Sequence, residues 1–252
     1  MSRNNDTRRE EIRKILLRQD SVKVTDLAET LKVTPETIRG DLTFLEEKGF
    51  LYRNRGTASL RMNGAESPME LRMREYTDAK KAISEAAFEM IKDDMILYFS
   101  ASSTLLYLCK LLTLRKNLTV VTNSIDMISI LAGGRSKIIV LGGEYLRTGR
   151  RTYGDDAVRQ VSSICFDIGF LGMDGCLNCD GPATVSTDER AIDLTVMSRA
   201  NMNVLASDRT KFAMASHYQY AKFTDFDYVL TDTLDSETKE KLNLKNLKEV
   251  SI

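Results

Sequence analysis

The chain has 252 residues, 42% of them hydrophobic and 29% charged, which excludes an intrinsically disordered polymer and leaves room for a small domain beside a larger one. Its 36 basic side chains balance 36 acidic ones, and residues 1–62 hold 13 basic against 10 acidic groups, an excess too small to identify a nucleic-acid binder. No apolar run approaches the roughly 18 residues of a membrane span and the start MSRNNDTRREE has no signal core, so the expected setting is the cytoplasm, with no membrane partner.

Ile12, Ile15 and Leu16 predict a helix over 10–18, and Leu27, Ala28 and Leu31 predict a second, with Thr25 as its N-cap. Thr34 caps a third, placing Pro35 in the first turn where no amide is needed. Only Lys32 and Val33 separate helices two and three, the outline of a helix-turn-helix whose third helix enters the DNA major groove. At about 100° per residue, Ile38, Leu42 and Leu45 face one way. Glu36, Gly40, Thr43 and Glu47 face the other, flanked by Thr37 and Arg39. After Gly49, FLYRNRGTASLRM predicts two short strands about a turn at 54–57, a wing that offers Arg53, Arg55 and Arg61 to phosphates. The same pattern also fits a three-helix packing or dimerisation module with a hairpin.

The stretch VTDLAETLKVTPETIRGDLTFLEEKGFLYRNRGTA resembles the N-terminal signature of the DeoR family of bacterial transcription regulators, through Val24, Leu27, Ala28, Val33, Thr37, Ile38, Arg39, Asp41, Leu42, Leu45, Gly49, Leu51, Arg53 and Gly56. On this reading the DNA-binding residues are Thr34, Pro35, Glu36, Thr37, Arg39, Gly40, Thr43, Arg53 and Arg55. Two positions depart from the family pattern. Gly40 stands where a second arginine is usual, and glycine there costs about 1 kcal/mol of helix stability relative to alanine. Arg55, Gly56 and Thr57 replace the usual His-Gly-Gly of the wing.

Gly64, Pro68 and many charges make 62–78 a connection between a DNA-binding domain over 1–61 and a second domain over 79–252. A helix over 79–91 leads into apolar runs at 95–99, 118–122, 138–141, 168–171, 204–206 and 228–230, with helical patterns between several of them. Short buried strands alternating with helices predict a largely parallel sheet covered on both faces, which binds ligands at the carboxyl ends of its strands. Ser100 to Thr104, opening a helix, suits a phosphate, because free amides and the helix dipole favour an anion; it also fits a plain N-cap with extra serines. Gly142-Gly143 fits a binding loop or a simple turn, and Lys211 a ligand or a surface lysine. Of Cys109, Cys165, Cys176 and Cys179 only the last two form C-x-x-C, and with the single histidine His217 a zinc site is short of ligands. Reduced structural cysteines are expected, with no metal and no cofactor.

VVTNS, VLGGEYLRTGRRTYG, GFLGMDG and ASDRTKF are similar to successive segments of the DeoR sensor domain, which is related in fold to ribose-5-phosphate isomerase. The resemblance implies an α/β chain: an N-terminal winged helix-turn-helix and a C-terminal, mostly parallel sensor and oligomerisation domain. It implies a repressor, dimeric or larger, whose affinity for double-stranded operator DNA changes when a phosphorylated sugar or related metabolite binds. Matching effector positions are Ser100, Ser102, Ser103, Thr104, Asn123, Gly142, Gly143, Asp174, Gly175, Asp208 and Lys211. Phe99 stands where a carboxylate is usual, and Ala101 and Ala213 where glycines are. The alternative is a sugar-phosphate isomerase drawing acids and bases from Asp174, Glu189, Asp208 and Lys211. That would leave the helix-turn-helix unexplained, so no enzymatic activity is expected.

Overall fold

The structure is a computed structural model that describes residues 2–16, 19, 21–47, 51–54, 56–60, 69–147, 149–177 and 179–252. The chain divides into two units, Met1–Ala65 and Glu66–Ile252. The first runs through α1 (Ser2–Leu16), β1 (Val22–Lys23), α2 (Val24–Leu31), α3 (Pro35–Glu47), β2 (Leu51–Asn54) and β3 (Thr57–Leu60). Each helix turns its apolar stripe inward, so Ile12 and Leu16, Leu27 and Ala28, and Ile38, Leu42 and Leu45 share one core with Leu51 and Ala58 of the strands. Ile38 and Leu42 are fully buried; burial of one such side chain is worth roughly 1.5–3 kcal/mol.

Three details of this unit differ from the sequence-based expectation. Helix α1 begins at Ser2, before residue 10, where the sequence is polar and offers no periodicity to reveal a helix. Lys23, not Thr25, occupies the N-cap position of α2, because β1 passes straight into the helix with Val22 and Val24 buried on either side. The Thr25 hydroxyl donates instead to Asp26 Oδ1 at 3.0 Å. Finally, β1 pairs with β3, so the wing hairpin of β2 and β3 belongs to a three-stranded antiparallel sheet.

In the second unit, α4 (Met69–Arg72) and α5 (Thr77–Phe88) fall partly within the stretch read as a connection. Met69 is buried in the same cluster as Ile83 and Phe88, so from Met69 onward that stretch packs into the second unit, while 62–68 lie outside the described residues. There follow β4 (Ile96–Phe99), α6 (Ser103–Leu111), β5 (Thr119–Thr122), α7 (Ile125–Leu131), β6 (Lys137–Val140), β7 (Glu144–Leu146), β8 (Arg151–Tyr153), α8 (Asp155–Ser162) and β9 (Phe166–Leu171). The chain ends with β10 (Ala183–Thr184), α9 (Thr187–Arg199), β11 (Ala200–Ala206), β12 (Tyr218–Gln219), β13 (Tyr228–Asp232), α10 (Ser236–Leu242) and β14 (Leu247–Val250).

Seven of these strands form one parallel sheet in the order β14-β13-β11-β9-β4-β5-β6. Alternate residues feed two cores: Leu97, Phe99, Val120 and Phe170 pack with Ile83 of α5, Leu105 of α6 and Met127 of α7. Tyr98, Val121, Leu171 and Leu205 pack with Ala157 of α8 and Ile192 of α9. Both faces are therefore covered, as a parallel sheet requires. From β4 the strands step one way, to β5 and β6; from β9 they step the other, to β11, β13 and β14. The order reverses between β4 and β9, and a crevice opens at the carboxyl ends there.

Candidate functional site

In the first unit the exposed side of α3 is a wired polar surface. Thr34 caps the helix, its hydroxyl accepting from the Thr37 amide at 3.2 Å, and Pro35 takes the first helical position. Arg39 ion-pairs with Glu36 at 2.6 Å, and both are exposed. The Thr43 hydroxyl donates to the Arg39 carbonyl at 2.8 Å and accepts from Arg53 Nη1 at 2.6 Å, while the Arg53 amide donates to Glu46 at 3.2 Å. These bonds tie the wing to α3 and set two guanidinium groups beside one helix face. Gly40 sits on that face with nothing within 4 Å of where a Cβ would stand. Arg55 lies outside the described residues.

Behind this face lies a pairing that spacing could not reveal. Asp41, buried on α3, accepts from Arg8 and from Arg9 Nε at 3.0 Å, and the Arg9 guanidinium lies 3.6 Å over the Phe44 ring. A buried carboxylate that meets two guanidinium groups fixes the crossing of α1 on α3. The only sequence signal for Asp41 was its place in the DeoR-like motif.

In the second unit the crevice encloses a cleft of about 410 Å³, open mouth included. One wall is the loop 100–102 and the start of α6. Ser103 and Thr104 are buried there and face the cleft, and neither hydroxyl meets a hydrogen-bond partner among the described residues. Ser102 stands at the N-cap position without a side-chain cap bond. The first amides of α6 and these hydroxyls thus converge as donors, the arrangement that holds anions. The loop is set by its neighbour: the Ser100 amide donates to the Phe170 carbonyl, and the Gly172 amide to Ser100 Oγ, each at 3.0 Å. A Cβ on Gly172 would press to 2.9 Å from Ser102 Cβ, so only glycine lets the β9 loop lie this close.

Asp174, Asp208, Glu189 and Asp193 also line the cleft, together with Lys211 and Arg72. Most of these charges are braced. Asp174 lies 3.8 Å from Arg72 and accepts from the Val185 amide at 3.2 Å. Asp208 accepts from the Thr210 amide at 3.1 Å and lies 4.0 Å from Lys80 Nζ. Glu189 pairs with the buried Arg151 at 2.8 Å and accepts from the Thr184 hydroxyl. Burial, only partly offset by Asp208, pushes Lys80 down to about 8; Lys211 and Arg72 add to the fall and Glu75 opposes it. Its ammonium donates to the Arg72 and Glu75 carbonyls, the latter at 2.8 Å. Burial, then Glu189, raises the Asp193 carboxyl well above the usual carboxylate range, against the pull of Arg151.

The cleft gathers Ser100, Ser102, Ser103, Thr104, Asp174, Asp208 and Lys211, but not every expected position. Asn123 is buried after β5, its amide donating to the Thr152 carbonyl at 3.0 Å. Gly142 donates to Gln160 at 3.1 Å, and Gly143, at φ +129, leads into the β7–β8 hairpin, where a Cβ would stand 2.2 Å from the Tyr153 carbonyl oxygen. Gly143 is thus needed by its turn. Gly175 bridges to Ala183 behind the lining. Phe99 does not face the cleft: it is fully buried and stacks on Phe170 at 5.1 Å. Ala101 does line it. Arg72, Thr184, Glu189 and Asp193 were not among the expected ligands. The four cysteines are free, and burial pushes the Cys176 thiol up to about 12, which suits a structural role.

A winged helix-turn-helix joined to a parallel α/β unit with a polar cleft at its switch point defines a two-domain DNA-binding regulator. The chain belongs to the DeoR family: it matches the DeoR-like helix-turn-helix domain over residues 8–62 and the DeoR C terminal sensor domain over residues 75–233. It is 28% identical over 243 residues to the lactose phosphotransferase system repressor of Staphylococcus epidermidis, covering 93% of this chain and 95% of that one. With the HTH-type transcriptional repressor GlcR of Bacillus subtilis it shares 26% identity over 224 residues, 88% of this chain and 86% of that one. Among solved structures it is similar to a ribose 5-phosphate isomerase of Methanocaldococcus jannaschii, over 54% of each chain at 16% identity and a TM-score of 0.40, a likeness too partial to bear on the site. No helix among the described residues is long and apolar enough to cross a membrane.

Proposed function

We infer that the chain is a sequence-specific repressor that binds double-stranded operator DNA through α3 and the wing and releases it when a phosphorylated sugar or related phosphate ester enters the cleft. The observation that carries this reading is the pair of Ser103 and Thr104 hydroxyls, which open into the cleft at the start of α6 without a protein partner among the described residues, with Lys211 on the same cleft. Hydroxyls that open into the cleft are free to donate to a ligand, and a phosphate supplies several acceptors. Arg72 supports the coupling: it lines the cleft from α4, the first described helix after the boundary between the units, so a ligand that draws on Arg72 acts on the stretch leading from the DNA-binding unit. Two-fold operators call for at least a dimer. The acids do not favour catalysis, since Asp174 and Asp208 are engaged in bracing bonds and the relatives carry regulator names.

A thermal-shift screen of the full chain against sugar phosphates tests the effector: a ligand at 100 times its Kd adds about 2.7 kcal/mol of stability. The hit must also lower operator affinity in a gel-shift assay. Turnover of pentose phosphates by the purified protein would replace this reading with the isomerase.

A further inference from the structure

The effector reading leaves one group in the cleft unexplained. Asp193 lies 3% exposed on α9, what remains of its surface faces the cleft, and it meets no hydrogen-bond partner among the described residues. Glu189, one turn earlier on the same helix, shares the cleft wall and is an ion-paired carboxylate held by Arg151 and Thr184. With no protein partner among the described residues and an opening only onto the cleft, the Asp193 carboxyl presents its polar atoms to whatever fills the cleft, and a purely structural helix position would be served by leucine without the desolvation cost. This side of the cleft also differs in chemistry from the anion-binding side, since Asp174 and Glu189 repel a phosphate that the α6 terminus and Lys211 attract.

We propose that Asp193 and Glu189 are a further ligand-binding pair of the same cleft, which reads the hydroxylated end of a polyol or sugar phosphate whose phosphate sits at the start of α6. The proposal rests on the effector reading above and names the part of the ligand that the reading leaves open. Burial and Glu189 favour the protonated acid at Asp193, so this group donates, while Glu189 accepts. Adjacent hydroxyls of a sugar are both donors and acceptors and satisfy the two together. A bare phosphate engages neither.

Isothermal titration of the full chain with ribose 5-phosphate, fructose 6-phosphate, glucitol 6-phosphate and inorganic phosphate tests this, using wild type, Asp193→Leu and Asp193→Asn. Asp193→Leu is expected to weaken the sugar phosphates by about tenfold or more, with inorganic phosphate changed by less than about twofold. Asp193→Asn keeps a donor and should retain most of the affinity. Thermal unfolding separates binding from a structural role: Asp193→Leu should hold or raise Tm, since Asp193 makes no hydrogen bond within the protein among the described residues, whereas loss of a structural contact lowers it. Sugar phosphates that bind wild type and Asp193→Leu alike overturn the pair and leave the effector reading standing. Binding of inorganic phosphate alone overturns the pair too. If none of the four probes binds, both readings fall.

Discussion

Lys211→Ala separates sensing from DNA binding. Lys211 follows β11 in a short 3-10 turn whose start is capped by Asp208, and it lines the cleft that the α6 terminus also lines. A hydrogen bond from an ammonium to phosphate contributes about 1.5–3 kcal/mol. Lys211 is only half-buried, so solvent screening puts the lower part of that range in play. About 1.5–2 kcal/mol corresponds to a roughly ten- to thirtyfold rise in effector Kd. Isothermal titration with a sugar phosphate found by screening reads this directly, and operator affinity without effector should stay at the wild-type value. A second signal comes from Lys80, whose pKa Lys211 helps to lower; removing Lys211 should raise it. Equal effector dissociation constants for wild type and Lys211→Ala would refute the assignment, because a cation touching phosphate cannot be removed without cost.

Arg39→Ala should weaken operator binding and reduce the slope of log K against log salt by about 1 if the guanidinium contacts phosphate, with Tm unchanged since its partner Glu36 is exposed; an unchanged slope removes Arg39 from the backbone contacts. Gly40→Arg meets open space and should gain up to about 1 kcal/mol of helix stability while shifting base preference in a randomised operator library. Identical preferences for both versions place residue 40 away from the bases. Thr34→Ala removes the bond to the Thr37 amide and should cost about 1 kcal/mol in urea unfolding. For Lys80, lowered to about 8 from 10.5, the unfolded chain holds the proton to higher pH than the native one, so this group makes stability rise with pH between those values. The stability difference between wild type and Lys80→Met should therefore grow in favour of wild type from pH 8 to 10; a constant difference contradicts the burial of a charged amine.

The helix-turn-helix was legible because its signal is local: Ile38, Leu42 and Leu45 repeat at helical spacing and all three are buried. The inner strands were legible as apolar runs for the same reason that both their faces are covered. β14, with sequence LKEV, was not, since its residues are only partly buried or exposed and leave no apolar run. The β7–β8 hairpin was missed because its sequence carries few apolar residues. Phe99 shows the limit of reading a ligand from a family position: ILYF is buried at Leu97, Tyr98 and Phe99 alike, so alternation gives no hint of which side chain meets the cleft. Phe99→Asp would bury a charge against Phe170 and not add a sugar contact. Asp193 was hidden for the opposite reason, because charged residues on a helix normally face solvent, and Glu189 entered the reading only as a candidate acid or base of the isomerase alternative.

What makes the cleft a site is the concentration of choices that a stability argument alone would reject. Ser103 and Thr104 turn hydroxyls, and Asp193 a carboxyl, into the cleft with no protein partner among the described residues. Lys80 buries an ammonium whose pKa is lowered by burial, and Gly172 gives up a side chain so that two loops can touch. These residues come from α5, α6, α9 and the loop after β9, segments far apart in the chain, and the sheet gathers them because its strand order reverses between β4 and β9. A reversal leaves the carboxyl ends of two strands uncovered by a crossover helix, so polar groups placed there pay less in lost packing than anywhere else on the sheet. Polar groups left without protein partners, gathered where the topology makes room, point to a ligand that supplies the bonds.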